Sequence, residues 1–224
     1  MDAYTRGLVA ILPALNEEEA LPLVISGLQS AGVKKIVVID GGSTDSTVAI
    51  AKKLGASVIV QEGRGKGMAF QTFLRKHPLE ANAKYVMLDA DATYDAGEIG
   101  LFANGLDDAD VVCGTRSLYI HDLRSLLHVI GGFFISLLAS ALFLRWNPDI
   151  TSGYWGFRGS ALKKMIITAD NFDLEANIFA QSAKKGLKAV CVPISYSKRV
   201  GKSKLSSLDA LRIVPRLIAE RLSG

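Results

Sequence analysis

Tyr85-Val86-Met87-Leu88-Asp89-Ala90-Asp91-Ala92-Thr93-Tyr94-Asp95 is the stretch that decides how this chain is read. Four apolar or aromatic residues in a row predict a short buried strand, and the carboxylates begin where that run stops. In an open α/β sheet, ligands bind outside the carboxyl ends of the strands. Two aspartates one residue apart at such an edge can turn their oxygens on one hard divalent cation. Mg²⁺ takes one or two protein carboxylates and fills its other positions with water and phosphate oxygens. An isolated Asp-x-Asp is more often a solvated acidic turn, so the reading rests on its surroundings.

Outward from that stretch, strands and helices alternate at the spacing of βαβ units, which predicts an α/β fold. Residues 8–12 read as a first strand stopped by Pro13. Glu17, Glu18 and Glu19 follow near the start of a helix over about residues 20–31, where the macrodipole favours negative charge. Residues 35–39 form a second strand, with Asp40-Gly41-Gly42-Ser43-Thr44-Asp45 as its exit turn. Ser and Asp there can cap a helix over 46–54. A third strand, 57–61, leads into Gly63-Arg64-Gly65-Lys66-Gly67 and another helix. That glycine-rich loop lacks Ser or Thr after its lysine, and no Gly-x-Gly-x-x-Gly turn follows the first strand. A P-loop NTPase and a dinucleotide oxidoreductase are therefore excluded.

At 224 residues the chain is most simply one domain, 1–224, with ample length to bury a core. Its hydrophobic content of 49% and mean hydropathy of +0.26 are high for a freely soluble protein. The formal charge of +4 is uneven: residues 184–224 carry ten Lys/Arg against two acids, which leaves about −4 on residues 1–183. A basic tail on a mildly acidic body suits an anionic partner: a membrane surface, a phosphate ligand or nucleic acid. Cys113 and Cys191 fall in predicted strands and read as buried reduced thiols, not a disulfide framework or metal site. The Glu17–Glu19 cluster stands where a signal peptide would need its apolar run, so cytosolic exposure is expected.

Pro13-Ala14-Leu15-Asn16-Glu17, the Asp40–Asp45 turn, Asp89-Ala90-Asp91 and Gly114-Thr115-Arg116 occur in that order at fitting intervals. Together they resemble the family-two inverting glycosyltransferases with the GT-A fold. In the carboxyl-terminal half, Asp149 to Arg158, Phe172-Asp173-Leu174-Glu175 and Arg199-Val200-Gly201-Lys202-Ser203-Lys204-Leu205 resemble the dolichyl-phosphate mannose synthase branch. The likeness covers nearly the whole chain.

The resemblance implies that Pro13, Leu15 and Glu17 line the base and ribose pocket, with Asp40 on the base or ribose. Lys66 and Ala90 complete the donor-binding set. Asp89 and Asp91 would hold Mg²⁺ or Mn²⁺ and the sugar diphosphate. Thr93 is carried over as the third metal contact, although mannose synthases often place a glutamine there, a departure that also bears on the donor sugar. Gly41 replaces a second aspartate common in the Asp40 turn. GDP-mannose leads as donor, followed by UDP-glucose or a UDP-N-acetylhexosamine, and the acceptor is a polyprenyl or dolichyl phosphate.

A lipid phosphate is anionic near neutral pH, with a second pKa of about 6 by analogy with phosphoamino acids. It needs no general base; it needs cations to position it against a negatively charged donor. Arg116 after a strand, Arg124 and His128 one helical turn apart, and the Arg199/Lys202/Lys204 cluster supply them. Arg116, Arg124, His128 and Lys202 are the candidates for the acceptor phosphate. Asp91, Arg116, Arg199 and Lys204 are the candidates for catalysis, with 199–204 expected to be a mobile loop closing over both phosphates.

Residues 126–144 contain no Asp, Glu, Lys or Arg, about the length of a spanning helix, bounded by Arg124 and by Arg145-Trp146. A single span would separate Asp89 from Lys202, so a helix over about 124–146 lying in the membrane interface is expected. A tail helix over 206–222 places Leu208, Leu211, Val214, Ile218 and Leu222 on one face. Arg212, Arg216 and Arg221 flank it, and Pro215 can kink it. No carboxyl-terminal transmembrane anchor is expected, and the protein is placed at the cytoplasmic face of a membrane.

Three rival readings follow from the same residues. A sugar nucleotidyltransferase needs a glycine-rich basic loop after its first strand, which Pro13–Glu17 is not. A transferase acting on a sugar hydroxyl needs a general base, and Asp149, Asp173 or Glu175 could serve. No Gln-x-x-Arg-Trp is present, which argues against a processive polysaccharide synthase. A non-enzymatic membrane or nucleic-acid binder would leave Asp89 and Asp91 idle, so no nucleic-acid partner is expected.

Overall fold

The computed structural model describes residues 7–117, 123–201 and 210–223. Its strands are β1 (Leu8–Ala14), β2 (Lys35–Asp40), β3 (Ser57–Val60), β4 (Lys84–Met87), β5 (Val111–Arg116), β6 (Trp155–Arg158) and β7 (Ala189–Ile194). They form one sheet in the order β3-β2-β1-β4-β6-β5-β7. β6 runs antiparallel to β4 and β5, and the other pairings are parallel. Six strands therefore bring their carboxyl ends to one edge, where β6 presents its amino end. This is the expected mostly parallel α/β architecture.

β1 reads as an unbroken apolar run because helices cover both faces of the sheet. Val9 and Ile11 pack into one core with Phe70, Phe73 and Phe157, while Ala10 and Leu12 pack into the other with Leu21, Ile25 and Phe102. The first face carries α3 (Lys66–Lys76), α5 (Leu123–Phe143), α6 (Gly159–Leu162), α7 (Leu174–Lys184) and α8 (Ala210–Leu222). The second carries α1 (Leu21–Ser30), α2 (Thr47–Lys53) and α4 (Ile99–Asp108).

Pro13 does not stop β1. Pro13 and Ala14 still pair with Ile39 and Asp40 of β2, whereas β4 leaves off opposite Ile11. Proline's missing N–H thus falls where the strand has only one neighbour, the position a sheet tolerates. The three glutamates also differ from expectation, since α1 has no acid in its first turn. Glu17 N–H donates to Thr47 Oγ1, and the Glu18 carboxylate accepts from Ser46 N–H, so these residues tie the β1 exit loop to the β2 exit turn. Cys191, expected to be buried, is exposed on the edge strand β7, and both cysteines are free.

The apolar segment predicted over 124–146 ends as helix at Phe143. Three of its small residues face inward: Ser136 Oγ accepts from Ile150 N–H and Ser140 Oγ from Asn147 N–H, with Ala139 buried between them. Ile130, Phe133, Phe134, Leu137 and Leu138 face outward, from 37% exposed at Leu138 to 62% at Phe134. Arg145 is not the interfacial anchor expected of it. Its guanidinium turns in to the carbonyls of Ser182 and Leu187, capping the end of α7, while Trp146 stays exposed. Among the described residues, no helix is long and apolar enough to cross a membrane.

α8 begins at Ala210, and Leu208 lies outside the described residues. Its inner side carries buried Leu217 and Glu220, while Ile218 and Leu222 of the predicted apolar face are exposed. Arg216 is an internal partner, its Nε 2.7 Å from Asp173 Oδ2. Glu220 accepts from Asn177 Nδ2 (2.7 Å), Gln181 Nε2 (2.9 Å) and Lys184 Nζ (3.2 Å), which docks α8 on α7. Glu220→Ala strands two buried amides in a dry contact. It is expected to cost about 2–3 kcal/mol, read as a lower urea midpoint at unchanged slope; an unmoved midpoint would show that the network carries no stability.

Candidate active site

The common strand edge explains which side chains meet. Asp89 follows β4 by two residues, and Gly153 precedes β6 by two; Met87 and Trp155 are register partners, so Gly153 arrives beside Asp89. A Cβ on Gly153 would stand 2.2 Å from Asp89 Oδ2, so only glycine lets this chain pass the carboxylate. Gly65 and Gly67 act similarly. A Cβ on Gly67 would lie 2.0 Å from the Ala169 carbonyl oxygen, and Gly67 and Met68 N–H donate to the carbonyls of Asn171 and Asp170. The glycine-rich loop is thus a close-packed helix start that delivers Lys66 to the site.

Past β7 the chain runs back along the Asp-x-Asp turn. Tyr196 bridges Tyr94, Ser197 N–H donates to the Thr93 carbonyl, and Val200 N–H donates to the Asp91 carbonyl. That antiparallel passage carries Arg199 to Asp91. Ala92 takes a left-handed φ of 60° between the two acids' turn and Thr93. Thr93 N–H and Oγ1 both donate to Asp91 Oδ1, at 3.1 and 2.6 Å. Thr93, expected as a metal contact, spends its hydroxyl orienting Asp91.

Two cations each bridge two acids. Lys66 Nζ contacts Asp89 and lies 2.6 Å from Glu175 Oε1. Arg199 contacts Glu17 and places Nη1 2.8 Å from Asp91 Oδ2. Burial raises the Asp89 carboxyl to about 6, against the pull of Lys66 and helped by Asp91 and Glu175. Burial works against the charge on Lys66, but Asp89 and Glu175 overcome it and raise its pKa. Arg116 is clamped differently: Nε and Nη2 each lie 2.7 Å from an Asp149 oxygen in a two-pronged pair. Nη2 also donates to Thr151 Oγ1, and the guanidinium lies 5.3 Å from the Tyr196 ring centre.

One cavity of about 1540 Å³ gathers these groups. Of the residues expected to bind donor or metal, Pro13, Leu15, Glu17, Lys66, Asp89, Ala90, Asp91 and Thr93 line it, as do Arg116 and Arg199. Asp40 is the exception. Its carboxylate accepts from Gly42 and Ser43 N–H and shapes its own turn, and its neighbours Gly41 and Gly42 line the cavity instead. Lys202 and Lys204 lie outside the described residues. Arg124 and His128 fall on the first turns of α5, and their side chains lie outside them too. The site roles of Glu175 as partner of Lys66, Asp149 as holder of Arg116, and Gly153 were not read from the sequence. Each depends on a partner dozens of residues away; the Asp149–Arg158 and Phe172–Glu175 motifs flagged the residues but not the partners.

Among the described residues, no three acidic, His or Cys side chains cluster to hold a metal by themselves. Asp89 and Asp91 offer the hard oxygens that Mg²⁺ or Mn²⁺ takes, and a cation held by two carboxylates leaves its other positions to phosphate oxygens and water. The donor set therefore fits a divalent ion bound together with a diphosphate.

Residues 9–166 match the model of glycosyl transferase family 2, and the chain belongs to that family. It is 35% identical over 208 residues to glycosyltransferase AglJ of Haloferax volcanii, covering 90% of this chain and 66% of AglJ, just under two thirds of that protein's length. It is 31% identical over 209 residues to the dolichyl-phosphate hexose transferase of the same organism, covering 92% and 90%. Among solved structures, glucosyl-3-phosphoglycerate synthase of Mycobacterium tuberculosis, in complex with Mn²⁺, UDP and glucosyl-3-phosphoglycerate, superposes with a TM-score of 0.77. It is 21% identical and covers 97% of this chain and 81% of that one. The fold is GT-A and the protein is a glycosyltransferase.

Because Asp89 must be ionised to act as a hard ligand, the sign of the pH effect is fixed: the ligand is lost as pH falls through about 6. Binding of Mn²⁺ with UDP or GDP is expected to weaken about tenfold per unit of pH below that value. Calorimetric titration on both sides of it checks this, and a flat profile would remove Asp89 from the ligand set.

Proposed function

We propose that this chain transfers a hexosyl group from a nucleotide-diphosphate sugar to a polyprenyl or dolichyl phosphate, with inversion at the anomeric carbon. One observation carries the reading: a single cavity is lined both by charged groups and by apolar side chains. Lys66, Asp89, Asp91, Arg116 and Arg199 supply the charge, and Ile130, Phe133 and Phe134 of α5 with Ile213 of α8 supply the apolar surface. A phosphate on a long apolar chain matches both at once. Similarity to a dolichyl-phosphate hexose transferase supports the same acceptor class. GDP-mannose is favoured as donor by motif resemblance; UDP-glucose, which the structurally similar synthase binds, and UDP-N-acetylhexosamines are the alternatives.

In this reading the acceptor phosphate lies against Arg116, whose guanidinium Asp149 holds in one orientation, so little freedom is lost on binding. A phosphate oxygen displaces the nucleoside diphosphate at the anomeric carbon from the opposite face, and no proton has to be removed. Charge grows on the leaving diphosphate, where Lys66 and Arg199 stand ready to leave their carboxylates and pair with it. A divalent ion on Asp89 and Asp91 supplies Lewis-acid stabilisation of that leaving group. The rival reading, a sugar-hydroxyl acceptor, needs a free base. Asp149 and Asp173 are ion-paired, to Arg116 and Arg216, so that reading keeps only Glu175, which is paired with Lys66 until Lys66 moves to the diphosphate.

The outward faces of α5 and α8 would rest on the cytoplasmic surface of a membrane, which presents the lipid phosphate to the cavity. Cosedimentation with anionic vesicles, partly reversed by salt, is expected. Protection patterns showing protease sites on both sides of a sealed membrane would instead establish a span.

The deciding assay supplies labelled GDP- and UDP-sugars with a polyprenyl phosphate and Mg²⁺ or Mn²⁺, and follows label into organic solvent. Label that stays aqueous and moves to a sugar hydroxyl would overturn the lipid acceptor. With the productive donor, Asp91→Asn should nearly abolish transfer, and Arg199→Ala should lower kcat about a hundredfold while donor Kd changes much less. Unchanged kcat for Arg199→Ala in detergent at saturating acceptor would reduce Arg199 to a structural partner of Glu17 and Asp91.

A further inference from the structure

Two thiols outside the charge network face each other at the edge of the sheet. β7 is the outermost strand, and its register with β5 sets Cys191 directly beside Cys113. Neighbouring strands lie about 4.8 Å apart, within the roughly 4.4–6.8 Å between Cα atoms that a disulfide spans. Cys191 is exposed and Cys113 is buried. The Cys113 thiol is also tied inward, 3.3 Å from the Asp149 carbonyl oxygen and 3.8 Å from Asn147 Oδ1. Asn147 Oδ1 in turn accepts from Asp149 N–H, and the Asp149 carboxylate holds Arg116.

We propose that Cys113 and Cys191 form a reversible disulfide when oxidised by a small-molecule disulfide, and that its formation loosens the turn through which Asp149 holds Arg116. The neighbouring Cys113 side chain, with help from Thr115, holds the Cys191 thiol below its ordinary range. Burial pushes the Cys113 thiol well above that range. An exposed, more acidic thiol beside a buried resolving one is the arrangement that responds to oxidants.

The chemistry balances. The Cys191 thiolate attacks one sulfur of the oxidant and expels its other half as a thiolate. The Cys113 thiol, giving its proton to that thiolate, then attacks Cys191 sulfur and expels the second half, which takes up the proton Cys191 lost on ionising. Two protein thiols give up two electrons and two protons, and the oxidant becomes two thiols. Once bonded to Cys191, the Cys113 sulfur has no hydrogen left for the Asp149 carbonyl or for Asn147. The rim of the acceptor site loses that tie.

The test treats the reduced full-length chain with glutathione disulfide and reads intact mass, the cross-linked peptide and amide exchange. The expected product lacks two hydrogens, links the peptides of Cys113 and Cys191, exchanges faster over residues 147–151 and reverts with dithiothreitol. The kinetic arm rests on the polyprenyl-phosphate reading: acceptor KM should rise at least about fivefold. Cys191→Ser should keep the reduced enzyme's KM and lose the response. A lasting glutathione adduct without the internal link overturns the pairing. A link that leaves both exchange and KM unchanged overturns the coupling. The mass and exchange measurements hold whatever acceptor the enzyme uses, so their failure is distinct from failure of the proposed function.

Discussion

Desolvated charge has to be neutralised where it lies, and that requirement organises the catalytic edge of this protein. Five carboxylates, Glu17, Asp89, Asp91, Asp149 and Glu175, are served by three cations, Lys66, Arg116 and Arg199. Within this ion-paired set, three positive charges against five negative leave −2 when all are ionised; Arg64 and Lys198 also line the cavity, and a divalent cation would add to them. Burial already resists that deficit by raising Asp89 to about 6. An ion pair removed from water repays its desolvation only when geometry and extra hydrogen bonds are good, and two of the carboxylates here have such support. Asp91 takes two hydrogen bonds from Thr93, and Asp149 takes the Arg116 backbone N–H as well as its guanidinium.

The groups come together because of strand direction. Glu17 follows β1, Asp89 and Asp91 follow β4, Arg116 ends β5, and Arg199 follows β7. A parallel sheet sends all of those ends to one edge, which is the general reason ligands bind there. The antiparallel β6 adds the one element that arrives from the other direction, and Gly153 is what it must present so as not to displace Asp89.

This geometry also separates what was legible in the sequence from what was not. The strand run at Tyr85–Leu88 and the acids after it could be read directly, because hydrophobic patterning and strand ends are local properties. Ordered motifs carried the donor-side residues, nearly all of which line the cavity. Errors fell where a local rule met a tertiary partner. Pro13 stays in β1 because β4 has already stopped, and Glu17 leaves helix capping for Arg199, 182 residues away. Arg145 reaches across to the end of α7. Cys191 looked buried because its strand is apolar, and only the strand order shows that β7 is an edge.

α5 shows how one helix can serve two requirements that a hydropathy reading sees as a single apolar run. Ser136 and Ser140 hold the 147–150 turn by accepting from Ile150 and Asn147. That turn carries Asp149, and Asp149 fixes Arg116. Phe133 and Phe134 of the same helix are exposed and also line the cavity. The apolar surface of α5 and the arginine in the cavity are therefore joined through two serine hydrogen bonds and one carboxylate. On the proposed lipid-phosphate acceptor, a rigid connection of this kind would set the distance between lipid tail and reacting phosphate. An acceptor of the wrong shape would then be rejected by geometry as well as by affinity.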